Sequence, residues 1–358
     1  MNAITVIVLI FSVIGALDKL FGNKLGMGKE FERAFTLFTP MATSMLGVLI
    51  VAPGIGAWLM PAFEGFYKLF GLDPSIIPAS LFANDMGGMT IAKEICKTQT
   101  IGDFNAFVVS SMMGCVISFT IPVSIGMVKK EQHKDLFFGI LCGIVTIPIG
   151  CFVGGLMRGI GVAEILLDLL PLVILSAIIA AGLALVPNVA IKIFSVFGKF
   201  MQVVGILGLV CGIFTFLTKV QIDPHFNSLQ DGALICVNAC ITLSGALPFM
   251  YLVTKLLGKP MERLSGKIGI NSTSAVMLLS TLVTNTPTFG VMEQMNPKGV
   301  ALNAAFAVSA AFVFGSHLAF TMAFDSSYLP PVMVGKLLSG VCAVALAMLL
   351  YKEKTNEG

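Results

Sequence analysis

The 358-residue chain is 56% hydrophobic and only 11% charged, with a mean hydropathy of +0.95. A soluble domain carries about a quarter charged residues, so this composition excludes one and indicates an all-α polytopic protein whose surroundings are the lipid bilayer. The net charge of +3, with basic residues gathered in short loops, gives no reason to expect nucleic acid as a partner.

In chain order, apolar segments fall at about residues 3–18, 35–60, 74–95, 104–128, 135–157, 164–186, 190–217, 231–256, 270–292, 299–323 and 331–351. The first has no basic leader and no small-residue cleavage site, so it reads as a retained span and not a signal peptide. Nine of the segments are long enough to cross a hydrocarbon core of about 30 Å. The segments at 74–95 and 270–292 differ. Asn84-Asp85 and Gly87-Gly88 split the first, and Thr284-Asn285-Thr286-Pro287-Thr288 splits the second. Each half is about ten residues, roughly 15 Å of helix, enough to reach the midplane and turn back.

The distribution of Lys and Arg separates crossing from re-entrant segments. With all eleven segments crossing and the N-terminus outside, and with Lys336 set aside as part of a span, the basic residues divide 11 inside to 10 outside. With the two broken segments re-entrant they divide 16 to 5. The expectation is therefore nine crossings, an outside N-terminus and an inside C-terminus. Two inverted repeats follow, each of four transmembrane helices and one re-entrant hairpin. Residues 1–160 form the first repeat with its hairpin at 74–95, 161–187 a linking helix, and 188–352 the inverted second repeat with its hairpin at 270–292. Weak matches at near-constant offsets accompany this plan: Asn84 with Asn285, Phe107 and Ser110 with Phe306 and Ser309, Gly143 with Gly340. Inverted repeats whose broken helices meet at the midplane are the build of many secondary transporters.

Among candidate functional residues Asp85 comes first, because an acid at bilayer depth costs about 2.5–3.5 kcal/mol on insertion scales. It suits a small cation. The half-helix before it directs its negative end into the site, and Gly87 and Gly88 free carbonyls that an ammonium, which has only donors, can use. The plainer alternative is a buried acid holding helices together. The opposing segment supplies Asn285, Thr286 and Thr288, neutral donor–acceptors beside Pro287 that suit a hydroxyl.

His317 lies within the 299–323 segment, where packing, proton carriage and substrate contact all stay open. His133 and His225 fall in loops. Asn105, Ser110, Ser111, Asn238, Thr242, Ser244, Asn303 and Ser309 read as polar glue between helices. Trp58 and Tyr328 read as interface anchors, and Glu164, Asp168 and Asp325 as residues near headgroups. The eight cysteines show no CxxC spacing and read as reduced packing thiols. With no His, Cys and carboxylate cluster at ligand spacing, neither a metal nor another cofactor is expected.

Asn84-Asp85-Met86-Gly87-Gly88 followed by Ala92-Lys93-Glu94, Ser111-Met112-Met113-Gly114, the block Gly143 to Cys151 and the block Phe306 to Phe312 resemble the ethanolamine permease family, EutH, over about residues 30–350. The resemblance implies an inner-membrane protein that admits ethanolamine as a carbon and nitrogen source, alongside an ammonia-lyase in a microcompartment. Family members often carry an acid just before the span histidine, where this chain has Ser316. The expected substrate site is Asp85, Asn84, Gly87, Asn285, Thr286 and His317, with Asp85 on the ammonium and Asn285 or Thr286 on the hydroxyl. The alternatives are an integral-membrane enzyme acting on an amine or lipid, with Asp85 and His317 as acid and base, and a carrier for another small cation. Coupling to protons or sodium stays open, as does oligomeric state, a homodimer being the state elevator-like carriers often adopt.

Overall fold

The computed structural model describes residues 3–352, and every regular element among them is helical. The first spans are α1 (Ala3–Leu20) and the long α2 (Met27–Phe70). Two short helices, α3 (Ile76–Leu81) and α4 (Gly88–Ile95), flank a tight turn at Asn84–Met86. Next come α5 (Gln99–Met127), α6 (His133–Met157), the pair α7 (Val162–Asp168) and α8 (Leu170–Leu185) bent by 41°, and then α9 (Pro187–Thr218) and α10 (Leu229–Ile268). The chain closes with α11 (Ser272–Thr281), α12 (Thr286–Gly290), α13 (Pro297–Ala310), α14 (Ser316–Phe324) and α15 (Leu329–Leu350).

Among the described residues, seven helices are long and apolar enough to cross a membrane, or eight if the bent pair is one span. The protein is a multi-pass membrane protein. The segment at 299–323, expected as one unbroken crossing, is two helices. Residues 311–315 leave the helix, and Phe312 takes a left-handed φ of 65°. The backbone N–H groups of Phe312 and Phe314 donate instead to the carbonyls of Thr281 and Leu282, so the break is stitched to the end of α11.

Local sequence explains several boundaries. Ser228, Asn271 and Asn296 cap α10, α11 and α13 by accepting the N–H of Asp231, Ser274 and Gly299 at 3.1, 3.1 and 3.2 Å. Pro187, Pro287 and Pro297 stand in first turns, where the missing N–H costs nothing. Within α5 the hydrogen bonding widens to π-helical over Asn105–Gly114 and Val116–Thr120, a spacing found at functional sites.

Helix crossings are set by glycine. A Cβ on Gly150 of α6 would lie 2.3 Å from the carbonyl oxygen of Gly335 of α15, and one on Gly335 would lie 2.7 Å from that of Gly150. Likewise α9 lies on α2 through Gly208, whose Cβ would stand 2.1 Å from the Gly47 carbonyl, and α1 on α10 through Gly245, 1.9 Å from that of Val8. Small residues allow this backbone approach, which replaces the hydrophobic drive that lipid cannot supply. All eight cysteines are unpaired.

Candidate functional site

The turn carrying Asp85 is built from its neighbours. The N–H of Ala83 donates to Ser118 Oγ of α5 at 3.0 Å, and the N–H groups of Met86 and Gly88 both donate to the Ala83 carbonyl. Gly87 has a φ of 89°, the left-handed region, and a Cβ there would come within 2.8 Å of Val48. Gly88 and Gly114 both lie against the Phe82 carbonyl, 2.0 Å from where each Cβ would stand. Asn84 Oδ1 accepts the N–H of Asp85 at 2.9 Å, which holds the turn.

On this turn Asp85 is buried, 4% exposed, and α14 packs against it. His317, 1% exposed, places Nε2 3.9 Å from Asp85 Oδ1, and the Ser316 side chain hydrogen-bonds the same carboxylate. The Phe312 ring covers the imidazole, with centroids 5.0 Å apart. The break at 311–315 therefore brings Asp85 and His317 together: it starts α14 at Ser316, beside the acid.

The electrostatics are less one-sided than the sequence suggests. The expected negative end of a half-helix running to Asp85 is not there, since α3 stops at Leu81 and the acid sits beyond it. The N-termini of α4 and α14 begin close by, and their positive ends favour the ionised carboxylate.

Lys336 is the group that sequence reasoning set aside. It is 1% exposed within α15, and its Nζ donates to the Ser111 carbonyl in the π-helical part of α5. It acts electrostatically on both Asp85 and His317. A lone lysine in an otherwise apolar span was itself the signal.

The second broken segment lies across α5. Asn285 is fully buried, and its Nδ2 donates to Thr120 Oγ1 at 3.2 Å. Thr120 in turn meets Cys115 Sγ at 3.8 Å, and Cys115 lies in the electrostatic field of both Asp85 and Lys336. Thr286 is half-buried, while Thr288 is buried and turned toward Thr281, 2.8 Å away. A cavity of about 240 Å³ lined by Glu30, Arg33, Tyr251, Thr284 and Pro287 borders this segment. Among the described residues several buried polar atoms have no intramolecular hydrogen bond: Ser80 Oγ, Asn84 Nδ2, Asn285 Oδ1, His317 Nδ1 and Thr321 Oγ1. They belong to the two broken segments and to α14, and such atoms are costly unless something pairs with them.

Two expected interface residues are buried within the protein. Tyr328 is 2% exposed, stacked on Phe107 with Arg158 over its ring, so its side chain packs inside the protein. Asp168 is 4% exposed, again a core residue. Trp58 is exposed and hydrogen-bonds Asp223 at 3.1 Å. Among the described residues no three His, Cys, Asp or Glu side chains gather as metal ligands.

The family model described as "Ethanolamine utilisation protein, EutH" matches residues 1–350. A protein of Listeria monocytogenes named probable ethanolamine permease EutH is 38% identical over 98% of this chain and 95% of its own length. The protein YxeR of Bacillus subtilis, named as uncharacterized, is 36% identical over 97% and 94%, and a probable ethanolamine permease EutH of Escherichia coli is 33% identical over 97% and 95%. No solved structure matches the chain. With the family model and these relatives spanning nearly its whole length, the chain belongs to the EutH family.

Proposed function

We propose that the protein is a permease, and not an enzyme, that carries protonated ethanolamine across the bacterial cytoplasmic membrane through the site between its broken segments. The observation that carries this reading is a buried carboxylate on a helix break, with a histidine 3.9 Å away, among buried polar atoms that lack partners. Ethanolamine matches that inventory. Its ammonium has three donors for Asp85, and its hydroxyl can donate to Asn285 Oδ1 and accept from Asn84 Nδ2. Gly87 lets the backbone turn beside the ligand, Thr286 stands at the second segment, and His317 orients the carboxylate. The names of the relatives from Listeria and Escherichia coli support the same substrate.

Two broken segments entering as re-entrant hairpins, at 74–95 and 270–292, give a first repeat over 1–160, linking helices over 161–187 and an inverted second repeat over 188–352. Reciprocal packing supports this plan: α1 lies on α10 as α9 lies on α2, and α6 meets α15 through a mutual glycine contact. The basic-residue bias supports an outside N-terminus and an inside C-terminus. Movement of both hairpins against a fixed scaffold, in a homodimer, completes the proposal.

The test is counterflow of labelled ethanolamine in proteoliposomes at mildly acidic pH, where little neutral amine crosses lipid unaided. Wild type exchanges label in a saturable manner and Asp85→Asn only as fast as protein-free vesicles. Wild-type exchange no faster than those vesicles would overturn the permease reading, and undiminished exchange by Asp85→Asn would overturn the role of that acid.

A further inference from the structure

A second buried carboxylate lies outside the site above. Asp168 ends α7 at the 41° bend into α8 and is 4% exposed. Its Oδ1 accepts a hydrogen bond from Asn105 Nδ2 at 3.2 Å. The same Nδ2 donates to Ser75 Oγ at 3.0 Å, and Ser75 Oγ donates onward to Asp73 Oδ1 at 2.7 Å. Because the Ser75 proton is committed to Asp73, only the amide nitrogen of Asn105 can face Ser75, which fixes the amide orientation.

Two oxygens are left over: Asp168 Oδ2 and Asn105 Oδ1 are both buried and, among the described residues, without a hydrogen-bond partner. Asp168 caps no backbone N–H among those residues, its one hydrogen bond being to Asn105. The titratable groups around it are Asp73, Glu164 and Cys151, none of them cationic. Among the described residues no salt bridge reaches Asp168; Lys93 pairs with Asp103 at 2.8 Å, Arg158 lies over the Tyr328 ring, and α8 carries no charged residue. A bare carboxylate in such surroundings is strongly disfavoured.

We propose that Asp168 is a proton-binding site, its Oδ2–H donated to Asn105 Oδ1. One proton from solvent joins one carboxylate oxygen, no other bond changes, and both orphan oxygens are satisfied in a doubly hydrogen-bonded acid–amide pair. A hard metal ion fits less well, since such ions take six or more oxygens and two are on offer. The bound proton ties the bend between α7 and α8, through Asn105, to Ser75 at the head of the segment that carries Asp85. Losing it sets two lone-pair oxygens against each other and leaves the pair with the single Asn105 Nδ2–Asp168 Oδ1 hydrogen bond. The site is independent of which substrate the protein carries.

Infrared spectroscopy of the purified full chain tests the proposal. Wild type at neutral pH shows a protonated-carboxyl C=O band that shifts in D2O, disappears in Asp168→Asn and changes frequency in Asn105→Ala. Asp85→Asn, measured alongside, identifies any band from the acid of the proposed substrate site, and Asp18, also buried, accepts the backbone N–H groups of Leu25 and Gly28 and so is held as a carboxylate. An Asp168→Asn spectrum that keeps every carboxyl band overturns the proposal. So does an Asp168 band that vanishes when Na⁺ replaces K⁺ at fixed pH, which would make this a metal-cation site. Should Asp168→Asn not fold, Asn105→Ala decides: a shifted band supports the acid–amide pair and an unshifted one overturns it.

Discussion

Gly150→Ala tests the close crossing of α6 and α15 on which the position of Lys336 depends. The new Cβ would stand 2.3 Å from the Gly335 carbonyl oxygen and 2.8 Å from Ser339 Cβ, where ordinary contact begins at 3.4 Å. The helices must therefore part by about 1.1 Å, the difference between 3.4 and 2.3 Å. Both sides of the contact are helix, so neither yields as a side-chain end would, and the expected loss is about 1–3 kcal/mol. Gly126→Ala is the control. It lies in a helix with nothing within 4 Å of its added Cβ, so the same change should stabilise by about 0.5–1 kcal/mol. Thermal unfolding of the detergent-solubilised protein reads both. Equal or greater stability of Gly150→Ala relative to Gly126→Ala would refute the packing argument.

Three further outcomes follow from the same geometry. Lys336→Met removes the donor to the Ser111 carbonyl and should destabilise by about 2 kcal/mol; combined with Asp85→Asn, the loss in thermal unfolding should fall short of the sum by more than about 0.5 kcal/mol, because the two groups interact. Asn285→Leu should weaken ethanolamine binding by about 1–3 kcal/mol while changing ethylamine, which lacks the hydroxyl, much less; equal losses in competition assays would remove Asn285 from hydroxyl recognition. In the loop between α9 and α10, the backbone N–H of His225, with its side chain and that of Trp58, holds the Asp223 carboxyl below its usual 3.8. A lowered acid stabilises the fold above its unfolded value and loses that contribution as pH falls through the folded one, so the fluorescence of Trp58, the sole tryptophan, should change below pH 3.8, and a signal constant there would refute the contact.

The two broken segments at 74–95 and 270–292 were legible because their polar, glycine and proline residues contradict an apolar helix. The third break was not: Ala311-Phe312-Val313-Phe314-Gly315 is almost wholly apolar, and its non-helical path depends on hydrogen bonds to Thr281 and Leu282 that only the tertiary structure supplies. Local composition therefore placed His317 inside a continuous helix, when it sits in the first turn of one. The π-helical turns of α5 leave no comparable mark in sequence. Lys336 was set aside as part of a span, where it does lie, without its contact to the site being visible, and Asp168 was assigned to headgroups although its side chain is buried in the protein. In both cases the neighbours along the chain looked ordinary, and burial came from helices distant in sequence.

Equilibrium binding of labelled ethanolamine to the purified protein distinguishes a substrate counter-ion at Asp85 from an acid that only holds helices together. Unit charges about 4 Å apart at an effective dielectric of about 20 attract by about 4 kcal/mol, so Asp85→Asn should weaken binding about a thousandfold. A variant that binds ethanolamine within about tenfold of wild type would contradict the assignment of Asp85 as the counter-ion.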